Sequence, residues 1–246
     1  MYLQAASRTS RVSLLSKQDP RKGHMKKYLL FQIYGSMQSW GVACPGTYRF
    51  TQNHPTKSGL VSGIIGACLG IDYQKESDLR ELFNTTGYAC RIDIPGVVHE
   101  DYQTISREIK DEIDTFTTIE SYRYYLAGAL FTACLWKDSS SKFSLEAIAE
   151  KLNAPVFIPY LGRATCLAGL PFDPKILEAK DLRGAFSGYV SDRFGFIKAR
   201  KDRSPRIFWE GDDNSIPVLN KVFRQDVPKN RKTWAFGRRI ELEGRL

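Results

Sequence analysis

The chain has 246 residues, with 36 lysines and arginines against 27 acidic residues, and therefore a net charge of +9. This balance favours a polyanionic partner, with a merely soluble basic protein as the alternative. We favour nucleic acid over a membrane because the sequence has no basic amphipathic helix, lipidation motif or long apolar run.

The cysteines are odd in number, widely separated and without a CxxC pair: Cys44, Cys68, Cys90, Cys134 and Cys166. This pattern indicates a reducing compartment, the cytoplasm, rather than a disulfide framework. Only three histidines are present and none clusters with cysteine, so we expect no zinc site, no other metal and no cofactor.

The first 24 residues are basic, rich in hydroxyl groups and poor in acids. Met25, followed by KKYLLFQIYG, resembles a second natural start. We therefore interpret residues 1–24 as a disordered extension, or the product of an upstream start codon, rather than a transit peptide.

From residue 27 the predicted elements alternate between strand and helix. YLLFQIY predicts a first strand, which the turn GSMQSWG ends; a Gly-rich helix over 53–70, an amphipathic segment KESDLRELF and a strand ACRIDIPG follow. Residues 97–120 are polar, mixed in charge and threonine-rich, which predicts a protruding hairpin or mobile arm. SYRYYLAGALFTACLW then predicts a third strand, KFSLEAIAEKL a helix, and APVFIPYLGRATCLAG a short extended run into a loop.

This order predicts an α+β fold of the ferredoxin-like or RRM type, with an insertion between its two middle strands. After residue 171 the periodicity weakens and basic residues accumulate. We expect the part at about 171–246 to add strands and loops, so that residues 25–246 form a single domain.

The predicted helix over 53–70 carries Gly59, Gly63, Gly66 and Gly70, a spacing that puts all four on one helical stripe. Each interior glycine costs about 1 kcal/mol relative to alanine. The stripe therefore predicts that this side of the helix packs closely on a sheet.

The start of the same helix predicts an anion site. Pro55 and Thr56 suit a turn and an N-cap, which leaves Lys57 and Ser58 in the first turn. A lysine there opposes the helix dipole unless an anion faces it, and phosphate would fit. The order of residues is not that of a P-loop, so ATP or GTP is not implied.

Five collinear blocks match a known family: MQSWG at 37–41, PTKSGLVSGIIGACLGI at 55–71, DYQT at 101–104, TIESYRYYLAGALFTACLW at 118–136 and PYLGRATC at 159–166. They resemble the CasD family of subunits of type I-E CRISPR Cascade complexes, over about residues 25–170. The tail matches weakly, and the first residues do not match.

The resemblance implies a RAMP domain, which is ferredoxin-like, with a β-hairpin thumb at about residues 97–120. It implies a non-catalytic subunit that grips the 5′ handle of the guide RNA (crRNA). It also implies that the thumb folds against the adjacent backbone subunit, and that contact with the large, PAM-reading subunit helps to place double-stranded target DNA.

A single-stranded handle needs cations for its phosphates and groups that stack on or bond to its bases. At the end of the first strand, Gln38, Ser39 and Trp40 could read and stack a base, although Trp40 could equally fill the core. Arg49 could supply a bidentate phosphate fork, and Lys57 with Ser58 is the first phosphate candidate.

Further candidates lie near the predicted third strand and the following loop. Strand alternation puts Tyr122 and Tyr124 on one face and Arg123 and Tyr125 on the other, so only one pair can meet RNA. Arg163 follows Gly162, whose small size permits a tight backbone. It suits a phosphate contact or, alternatively, the carbonyl groups of its own loop.

Two other functions stay open from the sequence. His99, Tyr102 and Lys110 in the arm could form a metal-independent endoribonuclease site for crRNA precursors, since histidine is the usual proton acceptor for such cleavage. An RRM-like RNA chaperone would display stacking aromatics in an RNP-type pattern, which LLFQIYG and YRYYLAG do not show.

Overall fold

The described part of the chain is a mixed α/β structure made mostly of strands. The computed structural model describes residues 25–41, 46–108, 116–138, 140–169, 171–191, 204–230, 233 and 235–246. The strands within these ranges are β1 (Lys26–Tyr34), β2 (Met37–Gln38), β3 (Trp40–Gly41), β4 (Tyr48–Arg49), β5 (Thr51–Gln52), β6 (Thr86–Ile94), β7 (Val97–Glu108), β8 (Phe116–Ala127), β9 (Leu130–Lys137), β10 (Lys175–Ala179), β11 (Arg206–Trp209), β12 (Val218–Asn230) and β13 (Ala235–Arg245).

Four helices in the same ranges accompany these strands. Helix α1 begins as a π-helix, Ser58–Ile65, and continues as an α-helix, Gly66–Cys68; the others are α2 (Glu76–Asn84), α3 (Leu145–Asn153) and α4 (Leu182–Gly188). No helix in the described part of the chain is both long and apolar enough to cross a membrane.

Seven of the described strands form one antiparallel sheet in the order β10-β1-β9-β6-β11-β13-β12. Buried apolar side chains pack on both faces of this sheet, because β1 is apolar at successive positions. Leu29, Phe31 and Ile33 face the cluster that contains the side chains of α1 and α3. Tyr28 and Leu30 face the opposite cluster, to which α4 contributes.

The tail does add strands, as predicted, and they join the same sheet as β1. β11 pairs with β6 and with β13, and β12 and β13 form a long hairpin at the sheet's edge. Four cysteines, Cys68, Cys90, Cys134 and Cys166, are buried and free, as expected of core residues. Cys44 lies outside the described residues.

A second, smaller sheet is built on the β7–β8 hairpin. β7 pairs along the whole of one edge of β8, while β2 and β4 pair with the other edge. The predicted arm is thus a hairpin, but it extends to Ala127 instead of ending near residue 120. Residues 109–115, between β7 and β8, lie outside the described residues.

The predicted third strand is therefore two strands. SYRYYLA completes β8, the chain turns at Gly128 with φ +64°, and β9 begins at Leu130. The fourth strand also differs from the prediction: residues 154–169 form a loop with only an isolated bridge between Tyr160 and Leu167, and β10 comes later.

Helix α1 does not present its glycines on one face, so the stripe prediction is wrong. Gly59 packs on Trp40 and Gly66 on Leu79, but Gly63 is exposed. The reason is the π-helical part, whose hydrogen bonds span five residues instead of four, so that a spacing of three and four no longer repeats on one side.

The exposure of Gly63 leads to a stability prediction. An added Cβ would meet nothing closer than the Ser58 carbonyl at 3.9 Å. We expect Gly63→Ala to raise the free energy of unfolding by about 0.5–1 kcal/mol, because alanine restricts the unfolded chain. Thermal denaturation measures the change. Gly70→Ala is the control: Gly70 has φ +72° and its Cβ would lie 2.8 Å from Val156, so this variant should melt earlier. A lower melting temperature for Gly63→Ala would contradict the placement of Gly63.

Candidate nucleic-acid interface

Three of the candidate arginines, distant in sequence, come together on one face of the second sheet. Arg49 in β4 is paired in register with Arg123 in β8, so both side chains leave the same face. Arg163 reaches this face from its loop: its Nη2 donates to the Arg49 carbonyl at 3.2 Å, and its guanidinium lies 4.8 Å from the centre of the Tyr125 ring. We call Arg49, Arg123 and Arg163 the arginine face.

The guanidiniums of the arginine face have unused capacity for an anion. Across the described ranges, none of the three forms an ion pair with a carboxylate, whereas Arg91, Arg206, Arg224 and Arg239 each do. Arg49 Nη1 donates to the carbonyls of Gly46 and Tyr48, and Arg123 Nε donates to Ser121 Oγ. Asp101 is opposite Arg123 but accepts a hydrogen bond from Gln103.

Of the two roles that the sequence left open for Arg163, the structure shows the bond to a carbonyl group, and the phosphate contact stays a prediction. Arg163 Nη2 bonds a loop carbonyl, which is the structural role. Its Nη1 is buried and has no hydrogen-bond partner among the residues that the structure describes. A buried guanidinium N–H without an acceptor carries a desolvation cost.

The opposite face of the same sheet is aromatic. Tyr102, Tyr122 and Tyr48 form a row across β7, β8 and β4, with ring centres 5.0 Å and 4.8 Å apart. Phe50 packs against Tyr48 at 5.6 Å and against Tyr124 at 4.9 Å. We call these five rings the tyrosine face. The predicted division of Tyr122 and Tyr124 from Arg123 and Tyr125 is thus confirmed, and Tyr122 lies away from the arginines.

Two carboxylates border the tyrosine face. Glu120 accepts hydrogen bonds from Tyr122 at 3.0 Å and from Tyr102 at 3.3 Å. The hydrogen bond to Glu120 raises the pKa of Tyr122 to about 12, and that to Glu100 raises the pKa of Tyr124 to about 12. These hydroxyls therefore stay neutral, and the carboxylates carry the charge of this face.

Tyr48 and Phe50 were not among the predicted site residues. The signal that could have found them is alternation: they are two apart in TYRF, as Tyr122 and Tyr124 are in YRYY. Aromatic residues two apart on neighbouring strands form cross-strand pairs. The sequence alone, however, does not pair residues 48–50 with residues 122–124.

The structure corrects the expectation for Lys57. Thr56 does cap the helix, since its Oγ1 accepts a hydrogen bond from the Gly59 amide. The anion that faces Lys57, however, is a side chain of the protein itself and not a bound phosphate. Lys57 Nζ lies 2.5 Å from Glu210 Oε1 and 4.4 Å from the centre of the Phe83 ring. Burial lowers the pKa of Lys57, against the opposing effect of Glu210. Ser58 is half-buried beside it.

The candidates at the end of the first strand are also inside the protein. Gln38 Nε2 donates to the Ala129 carbonyl at 2.7 Å, and Gln38 Oε1 accepts from the Trp40 indole at 3.1 Å. Ser39 is held through its backbone by Leu161. All three side chains are buried, so of the two interpretations of Trp40 the structure has the core one. None of the three can stack on or read a base in this arrangement.

The family model described as CRISPR-associated protein (Cas_Cas5) matches residues 28–240. The chain belongs to the CRISPR-associated Cas5 family. The match extends well into the tail, beyond the residues whose sequence blocks first indicated the family.

Individual relatives of this Cas5 chain agree with that assignment. CRISPR system Cascade subunit CasD of Escherichia coli (strain K12) is 32% identical over 177 residues, which cover 67% of this chain and 78% of the relative. A chain of a CRISPR RNA-guided surveillance complex matches with a TM-score of 0.63 at 22% identity, covering 89% of each chain. A protein described as "Crystal structure of Cas protein" matches with a TM-score of 0.57 at 23% identity, covering 89% of this chain and 94% of that one. The two structural likenesses concern the fold.

The basic tail of this Cas5 chain is partly internal, which the sequence did not indicate. Arg224 and Arg239 both bond the buried Glu241 at 2.7 Å, and Arg239 also bonds Asp226. His54 Nε2 lies 2.9 Å from Glu241, and burial lowers the pKa of His54. This network ties the β12–β13 hairpin to the residues before helix α1. These arginines are therefore structural.

Two residues of the hypothetical endoribonuclease site, His99 and Tyr102, do not come together. His99 is paired with Tyr125 and Tyr102 with Tyr122, so that they lie on opposite faces of the hairpin. Lys110 lies outside the described residues. His54 is buried in the network above.

Proposed function

We propose that this Cas5 chain is a non-catalytic subunit of a type I-E Cascade surveillance complex that binds the 5′ handle of the crRNA. The observation that carries the proposal is the convergence of Arg49, Arg123 and Arg163, three guanidiniums without a carboxylate partner in the described ranges, on one face. The family match and the name of the Escherichia coli relative support the same assignment.

The proposed architecture is a ferredoxin-like RAMP domain spanning residues 25–246, with the β7–β8 hairpin as its thumb and residues 1–24 outside it. The strand order supports this. The four strands of the proposed β-α-β-β-α-β unit are β1, β6, β9 and β10, and its helices are α1 and α3. In the sheet these strands lie in the order β10-β1-β9-β6, so the fourth strand of the unit is beside the first, and the third lies between the first and the second.

The proposed mechanism is electrostatic and depends on geometry. Guanidiniums bind phosphate oxygens in a planar, often bidentate arrangement, and one strand of RNA crossing the arginine face could place successive phosphates at these side chains. His99, on the same face, could bond a base edge or a 2′-hydroxyl. The buried side chains of Gln38, Ser39, Trp40 and Lys57 take no part in this interface.

The assembly proposal follows the family. The thumb would contact the adjacent backbone subunit, and other surfaces would contact the large, PAM-reading subunit, so that target DNA is placed by the assembled complex. An exposed apolar group in the loop after α3, comprising Val156, Phe157, Ile158 and Tyr160, supports a role in protein contacts.

The test of RNA binding removes the arginine face. We expect the triple variant Arg49→Gln, Arg123→Gln, Arg163→Gln to bind guide RNA more weakly. Its log affinity should fall less steeply with log salt, by ~0.7 for each phosphate that the variant no longer binds. The matched control neutralises three lysines that are already paired with carboxylates: Lys27→Gln, Lys142→Gln, Lys151→Gln.

The two triple variants lose equal charge, so a difference between them reports the site and not the net charge. Equal salt slopes for both variants would contradict the proposal.

Incubating the purified chain with repeat RNA tests catalysis. Intact repeat RNA in the absence and presence of divalent metal is the expected result, and a discrete product would establish a nuclease instead. RNA with and without the 5′ handle, compared for affinity, separates a handle-binding subunit from an indiscriminate chaperone.

A further inference from the structure

The two faces of the second sheet differ in charge as well as in residue type. Besides its three arginines and His99, the arginine face carries one carboxylate, that of Asp101, within the described strands. The tyrosine face carries the carboxylates of Glu100 and Glu120, and none of its side chains in the described parts of β4, β7 and β8 is lysine or arginine. In a chain with a net charge of +9, this face is locally negative.

The tyrosine face is also accessible. Tyr48 is 42% exposed, Phe50 43% and Tyr102 51%, and both glutamates are exposed. Single exposed apolar residues are ordinary, but contiguous aromatic surface on a monomer usually marks an interaction site. Tyrosine is among the residues enriched at such interfaces, since it combines a large apolar ring with a polar end.

The chemistry of this face disfavours RNA. Phosphates would approach two carboxylates with no compensating cation in the described parts of these strands. The parallel rings of Tyr48 and Tyr122, 13° from coplanar, cover each other, so those faces are not available to a base. A lysine or arginine side chain of another protein, in contrast, is attracted both by the faces of the aromatic rings and by the carboxylates.

Glu120 keeps acceptor capacity for such a cation. A carboxylate offers about four lone-pair positions. Glu120 uses one on each oxygen, for Tyr102 and Tyr122. A planar guanidinium can bond the remaining positions while its plane lies against an exposed ring.

We infer that the tyrosine face is a docking surface for a basic segment of a partner protein, whose arginine side chains lie against the rings and bond Glu100 and Glu120. The inference does not depend on RNA binding by the arginine face. The thumb then separates two ligands of opposite charge, a polyanion on one face and a basic polypeptide on the other.

The test uses the full chain with two labelled probes, an octaarginine peptide and a single-stranded oligouridylate, at low salt. We expect the double variant Glu100→Gln, Glu120→Gln to bind octaarginine about fivefold more weakly or worse. The double variant Arg49→Gln, Arg123→Gln changes the opposite face and the net charge in the opposite direction, and it should bind octaarginine at least as well as the wild type. Glutamine keeps an oxygen for the tyrosine hydroxyls, and thermal melting checks that both variants fold.

Octaarginine affinity that is the same in the glutamate variant and the wild type would overturn the inference. It would also be overturned if Tyr48→Leu weakened oligouridylate binding and left octaarginine binding unchanged, because the face would then take RNA bases. Weaker oligouridylate binding by the arginine variant bears on the proposed function alone, so failure of the two proposals is distinguishable.

Discussion

We expect Lys57→Glu to destabilise the fold by about 3–5 kcal/mol, the range for breaking a buried ion pair and leaving like charges together. The new carboxylate would face Glu210, whose Oε1 now lies 2.5 Å from the Lys57 ammonium. It would also leave the Phe83 ring without its cation. Denaturant unfolding of the purified chain measures the change in stability.

Two controls separate charge from packing at this position. Lys57→Met keeps an unbranched apolar side chain of similar length and removes the charge. It should cost less, about 1–3 kcal/mol, because the partly exposed Glu210 can hydrate. Exchanging the charges in Lys57→Glu, Glu210→Lys should recover part of the stability. If Lys57→Glu unfolds like the wild type but no longer binds guide RNA, the phosphate interpretation drawn from the sequence is correct and the pairing with Glu210 is not.

The ion pair of Lys57 was predictable from the sequence only in part. The dipole argument correctly required an anion at the start of helix α1. It could not identify that anion, because Glu210 is 153 residues away and meets Lys57 only once β11 has paired with β6. Local electrostatics predicts that Lys57 has a counter-ion, and the tertiary fold determines which residue supplies it.

Elements with a clear local pattern, whether a continuous apolar run or a helical period, were predictable from the sequence. Strand β1, helix α2 and helix α3 each carry their own burial pattern, and the cap at Ser144, whose Oγ accepts from the Ala147 amide, is local. The join between β8 and β9 was not predictable, because YRYYLAGALFTACLW stays apolar across it. Only the positive φ of Gly128 and the change of sheet reveal two strands.

Some of the predicted site residues lie on the candidate interface, and others are buried. Arg49, Arg123 and Arg163 were each selected for their chemistry, but their common location follows from a parallel β4–β8 pairing and from the loop that carries Arg163. Gln38 and Trp40 were selected on the same chemical grounds. They are buried because Trp40 packs against Gly59 and its indole donates to Gln38. Residue type alone does not distinguish these outcomes.

The loop that positions Arg163 depends on one glycine, and Gly162→Ala should cost about 3 kcal/mol or more in stability. Gly162 has φ +90°, and a Cβ there would lie 1.7 Å from the Ser39 carbonyl oxygen, which is backbone and cannot move aside cheaply. The Ser39 amide also donates to the Leu161 carbonyl at 2.9 Å, so the two segments are fixed to each other. Denaturant unfolding measures the destabilisation, and guide RNA affinity should fall as well because Arg163 would be displaced.

Gly211→Ala is the matched control for this prediction. Gly211 has φ +89°, nearly that of Gly162, but an added Cβ would have no described atom within 4 Å. It should therefore cost only the strain of a left-handed backbone, about 1–2 kcal/mol, and should leave RNA binding unchanged. The difference between the two variants isolates the close approach of residues 162 and 39. Equal destabilisation in both would mean that these segments do not pack as described, and that Arg163 reaches the arginine face by some other path.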